Sequence, residues 1–139
     1  MSYLVDTNVL SELRRREPEP AVVAWFEERP ATTLYLSVLT LGELRKGIEA
    51  LPEGKRRLKL TDWLDTALPE FFSGRILPVD KEVADRWGRL LAAAKQPLPA
   101  IDSLLAATAL THGLRLVTRN VRDFRHPGLE VINPWKDES

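Results

Sequence analysis

The sequence predicts an α/β fold in which a parallel sheet is covered by helices on both faces. Three observations predict it. Five short apolar runs recur along the chain: "SYLV", "TLYLS", "RILPVD", "LRLVT" and "LEVINP". Segments with helical spacing of apolar residues separate them. Breakers and caps such as "EPEP", Asp80, "KQPLPA" and Gly113 mark the transitions. Strands that alternate with helices pair in parallel, and a parallel sheet hides both of its faces.

In chain order, the first strand covers about residues 2–5 and leads into a helix near 8–15. "EPEP" at 17–20 breaks that helix. Pro20 suits the first turn of the next one, which carries Val22, Val23, Trp25 and Phe26. A second strand spans 33–37, and a helix follows over 38–51 with Leu41, Leu44, Ile48 and Leu51 spaced for one face. Residues 55–67 predict another helix, with Leu58, Leu64 and Leu68 on one side. The third strand falls at 75–80, and its Asp80 caps a helix over 81–94. After the "KQPLPA" loop, the helix of 101–113 ends at Gly113. The fourth strand covers 114–118, "NVRDF" is a turn or short helix, and the fifth strand covers 129–134. Sheets of this kind form their sites at the carboxyl edge. Asp6 and Asn120 both fall just past such a strand end.

A length of 139 residues fits one domain over 1–139. Hydrophobic content of 44% suffices for a packed core, and 29% charged residues is ordinary. The formal net charge is zero, so there is no global pull toward nucleic acid or membrane. Any basic patch is therefore local. Cysteine is absent, which excludes disulfides and thiolate metal sites and suits a cytoplasmic protein. The first residues read as a strand rather than a signal peptide. No apolar run approaches the roughly 20 residues of a membrane helix.

Four acidic positions and their neighbours are candidates for chemistry. Asp6 is either a helix cap or a functional carboxylate, and Asn8 is a second candidate cap for the same helix. Glu43, projected at about 100° per residue, lies away from the apolar stripe of its helix. It is either a solvated side chain or a site residue. Gly47, one turn on, hints at a close approach. Asp102 stands in the first turn of the Ala-rich helix, where a cap or dipole role also explains it. The apolar face of Ile101, Leu104, Leu105, Thr108 and Ala109 sets that helix start near the core. Thr118 and Asn120 follow the fourth strand, with Asp123 one turn later and Arg119, Arg122 and Arg125 around them. Turn formation is the default reading of such an Asn.

Together, "LVDTNVLSEL", "LSVLTLGELRKGI", "PAIDSLLAATAL" and "LVTRNVRDF" resemble the PIN-domain family. Within it they are similar to the VapC and FitB-type toxins of bacterial toxin–antitoxin pairs. "GRILPVDKEVA" and the late "NPW" are similar to the same subgroup. The resemblance implies a three-layer α/β/α sandwich around a central five-stranded parallel sheet. It also implies a ribonuclease dependent on Mg²⁺ or Mn²⁺. Carried onto this chain, it implies Asp6, Glu43 and Asp102 as catalytic, metal-binding acids. The family's fourth acidic position falls on Asn120, which carries no charge, and leaves Asp123 as a substitute one turn away. Thr118 matches the family's small hydroxyl residue that orients the site. The implied partners are RNA, a cognate antitoxin whose tail blocks the acidic pocket, and a second copy of the chain in a homodimer.

The chemistry accounts for these residue types. Phosphodiester hydrolysis needs an attacking water and relief of charge on the phosphate, and a hard divalent cation supplies both. Such cations choose carboxylate oxygens. Without one, each like-charged pair at about 5 Å costs roughly 3 kcal/mol at an effective dielectric of 20, and at least one pKa rises. RNA also needs cations along its backbone. "RRR" at 14–16 and "KRRLK" at 55–59 are candidates, but Arg119, Arg122 and Arg125 stand nearest the acidic positions. Single-stranded or looped RNA is the more accessible substrate. Among rivals, a haloacid-dehalogenase-like phosphatase wants an acid where Asn8 stands. A receiver-like domain wants Lys where the chain has Arg119. A noncatalytic PIN-like module that binds RNA or protein is the more serious alternative.

Overall fold

The computed structural model describes residues 1–136. β1 (Tyr3–Val5) is followed by α1 (Thr7–Leu13) and α2 (Pro20–Glu27). A 3-10 turn (Ala31–Thr33) enters β2 (Leu34–Ser37), which runs directly into α3 (Val38–Glu49). α4 (Lys55–Asp62) passes through a π turn (Trp63–Ala67) into α5 (Leu68–Phe71). Then come β3 (Ile76–Leu77), α6 (Lys81–Ala93), α7 (Ala100–His112), β4 (Arg115–Val117), a 3-10 turn (Val121–Phe124) and β5 (Val131–Ile132).

All strand pairs are parallel, in the order β3-β2-β1-β4-β5. The chain winds outward from β1 to β3, then returns to the other side of β1 for β4 and β5. The crevice between β1 and β4 is therefore the topological switch point, where sheets of this kind hold their ligands. Val5 pairs with Val117, so the residues that follow them, Asp6 and Thr118, emerge side by side.

Side-chain alternation divides the core between the two faces. Tyr3, Val5, Leu34, Leu36 and Val117 pack with Val9, Leu10, Val22, Trp25, Leu44, Leu64 and Phe72 from the helices of the first half. Leu4 and Leu116 pack with Leu105, Ala106, Ala109 and Phe124 on the other face. The alanines of α7 let that helix lie close to the sheet. The three-layer α/β/α arrangement around a five-stranded parallel sheet is the one expected.

The differences are local. The third and fifth strands are much shorter than the apolar runs at 75–80 and 129–134. Pro78 and Pro134 lack the N–H that a ladder needs. The helix read over 55–67 is interrupted by the π turn, in which the Leu68 N–H reaches the Trp63 carbonyl. Pro69 explains it: an α-helix would need a Pro69 N–H for the Asp65 carbonyl, and the ring would crowd that carbonyl. Leu64 and Leu68 are buried, but Leu58 is 70% exposed. Six positions at 100° each rotate Leu58 about 120° away from Leu64. Leu60, four before Leu64, packs against the core instead. Gly47 is exposed, and a Cβ there would meet nothing within 4 Å, so no close approach explains it.

Candidate active site

Asp6 ends a buried strand and begins a helix. It is 6% exposed. Its Oδ1 accepts the Thr7 backbone N–H at 2.7 Å, which makes it the N-cap of α1. Its Oδ2 accepts the Thr118 hydroxyl at 2.8 Å. Cap and site residue are thus the same side chain. Asn8 does not cap the helix. Its amide N–H donates to the Thr118 hydroxyl at 3.2 Å, and its Oδ1 accepts the Arg119 backbone N–H at 3.3 Å. The Asn120 backbone N–H donates to the same Thr118 oxygen at 3.1 Å. The Thr118 hydroxyl therefore gives its one proton to Asp6 and receives two, which fixes its orientation. β1, α1 and β4 are locked together at the switch point through this one oxygen.

Glu43 arrives from α3, half-buried. Its Oε1 accepts the Thr7 hydroxyl at 2.6 Å, so α3 is tied to the start of α1. Asp102 stands half-buried in the first turn of α7. That helix takes Pro99 as its N-cap with no side-chain cap bond, so capping does not account for Asp102. One open cleft of about 450 Å³ is lined by Asp6, Asn8, Glu43, Asp102 and Asn120 and, at its basic wall, by Arg15 and Arg119. Asp123 is exposed and does not line the cleft, although its charge reaches Asp102. Arg122 and Arg125 are exposed and also outside the lining. Of the basic runs, Arg15 reaches the cleft, while Arg14 stands over Trp63 and Arg57 pairs with Glu49.

Charge in the cleft is strained. Burial pushes the Asp6 carboxyl up from its ordinary value. The Thr118 and Thr7 hydrogen bonds oppose this, and the Glu43 and Asp102 charges add to the rise. Asp102 is also pushed up, by burial first and then by Asp123 and Glu43. Among the described residues, no three Asp, Glu or His side chains stand close enough to enclose one ion together. The donor chemistry nevertheless suits Mg²⁺ or Mn²⁺. Those ions take one or two carboxylates and keep several waters, rather than an all-protein cage. Each Asp6 oxygen accepts one hydrogen bond and keeps a lone pair for a cation.

Thr7 and Ser11 line the cleft without being singled out by the sequence, and two further residues escape such a reading. Glu12 is 4% exposed, and its carboxylate accepts the Glu19 backbone N–H at 2.9 Å and pairs with Arg15. The Glu19 N–H, followed by Arg15 and Arg119, holds the Glu12 carboxyl below its usual range. Its signal is that it stands one turn after Asn8 on the cleft side of α1. The other is Trp135 of the "NPW" segment, which lines the cleft beneath Arg119.

Comparison with known proteins follows the same lines. The PIN domain profile matches residues 3–128. VapC ribonuclease Y4jK of Sinorhizobium fredii is 41% identical over 136 residues, covering 96% of this chain and 97% of that protein. The crystal structure of FitAcB from Neisseria gonorrhoeae superposes with a TM-score of 0.90 at 38% identity, covering 96% of this chain and 98% of that one. A toxin–antitoxin complex from Klebsiella pneumoniae superposes with a TM-score of 0.71 at 29% identity, over 96% and 98% of the two chains. With the site at the switch point and the match running through every motif, the chain belongs to the PIN-domain family, alongside the VapC and FitB proteins.

Proposed function

We propose that this chain is a metal-dependent endoribonuclease, the toxin of a toxin–antitoxin pair, and that it cuts RNA in the cleft lined by Asp6, Glu43 and Asp102. The observation that carries the proposal is the strained carboxylate at the switch point. Capping α1 accounts for Asp6 but not for the further acids beside it, and a shared cation or proton offsets their repulsion. The ribonuclease name of the Sinorhizobium fredii relative supports the reaction. The Klebsiella pneumoniae complex supports an antitoxin partner. A homodimer and a cytoplasmic site of action belong to the same proposal. Among the described residues, no helix is long and apolar enough to cross a membrane.

Asp6 and Asp102 would hold Mg²⁺ or Mn²⁺. When bound, such an ion lowers the pKa of a water and offsets charge on the phosphate. The remaining work falls to the chain. Thr118 and Asn8 fix the Asp6 carboxylate, so that it does not reorganise during reaction. Thr7 holds one oxygen of Glu43. The other oxygen is left to take the proton of the attacking water as the P–O bond to the leaving oxygen breaks. Asn120 offers a neutral carbonyl to water or substrate in place of a fourth charge. Arg15 and Arg119 neutralise the flanking phosphates.

The test is cleavage of single-stranded RNA by the purified chain with Mg²⁺, with Mn²⁺ and with EDTA. Asp6→Asn and Asp102→Asn, checked for folding by circular dichroism, are each expected to lose at least ~100-fold in rate, several kcal/mol of charge stabilisation. Full activity in either folded variant refutes the assignment. The uncharged Asn120 favours one other reading, a noncatalytic binding module. RNA that binds but survives under every metal condition would establish it.

A further inference from the structure

We propose that the indole of Trp135 is the stacking surface for one nucleobase of a single-stranded RNA, next to the phosphate that the carboxylates act on. The inference rests on the nuclease reading above and adds to it the residue that positions the strand. Trp135 lines the same cleft as Asp6, Glu43 and Asp102. It is half-buried and packed against the core, and its backbone N–H is tied to the Asn133 side chain at 3.0 Å. The ring therefore packs against the core while the residue lines a polar cleft. Other tryptophans have structural explanations. Trp25 packs in the core, Trp63 packs against it with Arg14 over its ring, and the Trp87 indole N–H donates to Ser103 at 2.9 Å; Trp135 is the one of the four that lines the acidic cleft.

An arginine lies over Trp135, as over Trp25 and Trp63, but here both the ring and the arginine line the acidic cleft. The Arg119 guanidinium lies over the Trp135 ring, 5.0 Å from its centre. A guanidinium is flat and cationic, and it stands where a flat base would stack. Arg119 is exposed on the loop that follows β4, so its side chain has room to leave the ring. A phosphate entering the cleft draws Arg119 away, and a base takes its place on the indole. One side chain and one ring thus read the two halves of a nucleotide: charge on the backbone, and the π face of the base. Stacking accepts any base, so this surface sets where the strand lies rather than its sequence.

The experiment measures binding of a labelled single-stranded RNA in EDTA, where no cleavage intervenes. A series of RNAs carries one abasic nucleotide at successive positions. Wild type is expected to lose about tenfold in affinity at one position of the series. Trp135→Ala is expected to bind intact RNA about tenfold more weakly and to show no penalty at that position, while Trp135→Phe retains most of both. An abasic penalty that persists unchanged in Trp135→Ala overturns the proposal, while the nuclease reading stands if wild type still cleaves with Mg²⁺. A wild type that binds no RNA in EDTA overturns the stacking surface, and one that also fails to cleave with Mg²⁺ overturns the nuclease reading as well. Should Trp135→Ala fail to fold, 5-iodouridine placed along the RNA is photocrosslinked to wild type. A crosslink on Trp135 supports the surface, and crosslinks confined to other residues overturn it.

Discussion

At the scale of single residues, Thr118 matters more than its size suggests. Its hydroxyl is shared among the Asp6 carboxylate, the Asn8 amide and the Asn120 backbone N–H. Replacing it with the isosteric Val leaves two donors and one carboxylate oxygen without a partner in a buried place. Thr118→Val is expected to lower stability by about 1–3 kcal/mol, measured by urea unfolding, whereas Thr118→Ser, which keeps the hydroxyl, costs clearly less. Equal losses would mean that the methyl group, not the hydrogen bonds, holds the site. Asp6 was legible in the sequence because a carboxylate directly after a fully apolar strand must lie at a sheet edge. The role of Asn8 was not, because local rules offer it a cap and only the neighbouring strand supplies Thr118. Glu12 was hidden for the same reason. Its partner, the Glu19 N–H, is delivered by the path of the loop after α1.

At the scale of elements, the order of strands and helices was legible almost throughout. Two-sided burial makes each strand mostly apolar, and a helix between strands must present one apolar face. Boundaries were less legible where proline acts at a distance of several residues, as at the π turn before Pro69. The spacing of six positions also sets apart two leucines, Leu58 and Leu64, that the sequence groups together. Leu64→Ala is expected to cost about 2–5 kcal/mol as a core truncation. Leu58→Lys should fall within about 0.5 kcal/mol of wild type. Thermal or urea melts of the pair decide it, and a large loss from Leu58→Lys would place that side chain in an interface or core after all. The carboxyl edge was legible too, since Asp6 and Asn120 each fall just past a predicted strand. That β1 and β4 are neighbours was not legible, because strand order is set by crossovers that leave no local mark.

At the scale of the whole molecule, the fold and its charge are in tension. The raised Asp6 and Asp102 carboxyls hold their protons longer in the folded protein than in the unfolded chain. Their contribution to stability is therefore most favourable near and below 3.8, the ordinary Asp value, and is lost as pH rises through the raised values. The depressed Glu12 works in the opposite sense: its contribution is present above 4.5 and is lost as pH falls. Comparing wild type with Asp102→Asn separates the two. In EDTA, urea melts between about pH 4 and 7 are expected to show the variant gaining on wild type as pH rises. A variant that loses ground over that range would contradict the strained cleft.

The same tension predicts that a divalent cation is the natural occupant of the cleft. Four acids line it, Asp6 keeps free lone pairs, and the Asp6 and Asp102 carboxyls resist ionising. Calorimetric titration of Mn²⁺ into the metal-free chain at neutral pH is the most direct test. Wild type should bind the ion, and Asp6→Asn and Asp102→Asn should each weaken it by at least about tenfold. An affinity unchanged in both folded variants, or no binding by wild type, would contradict the account.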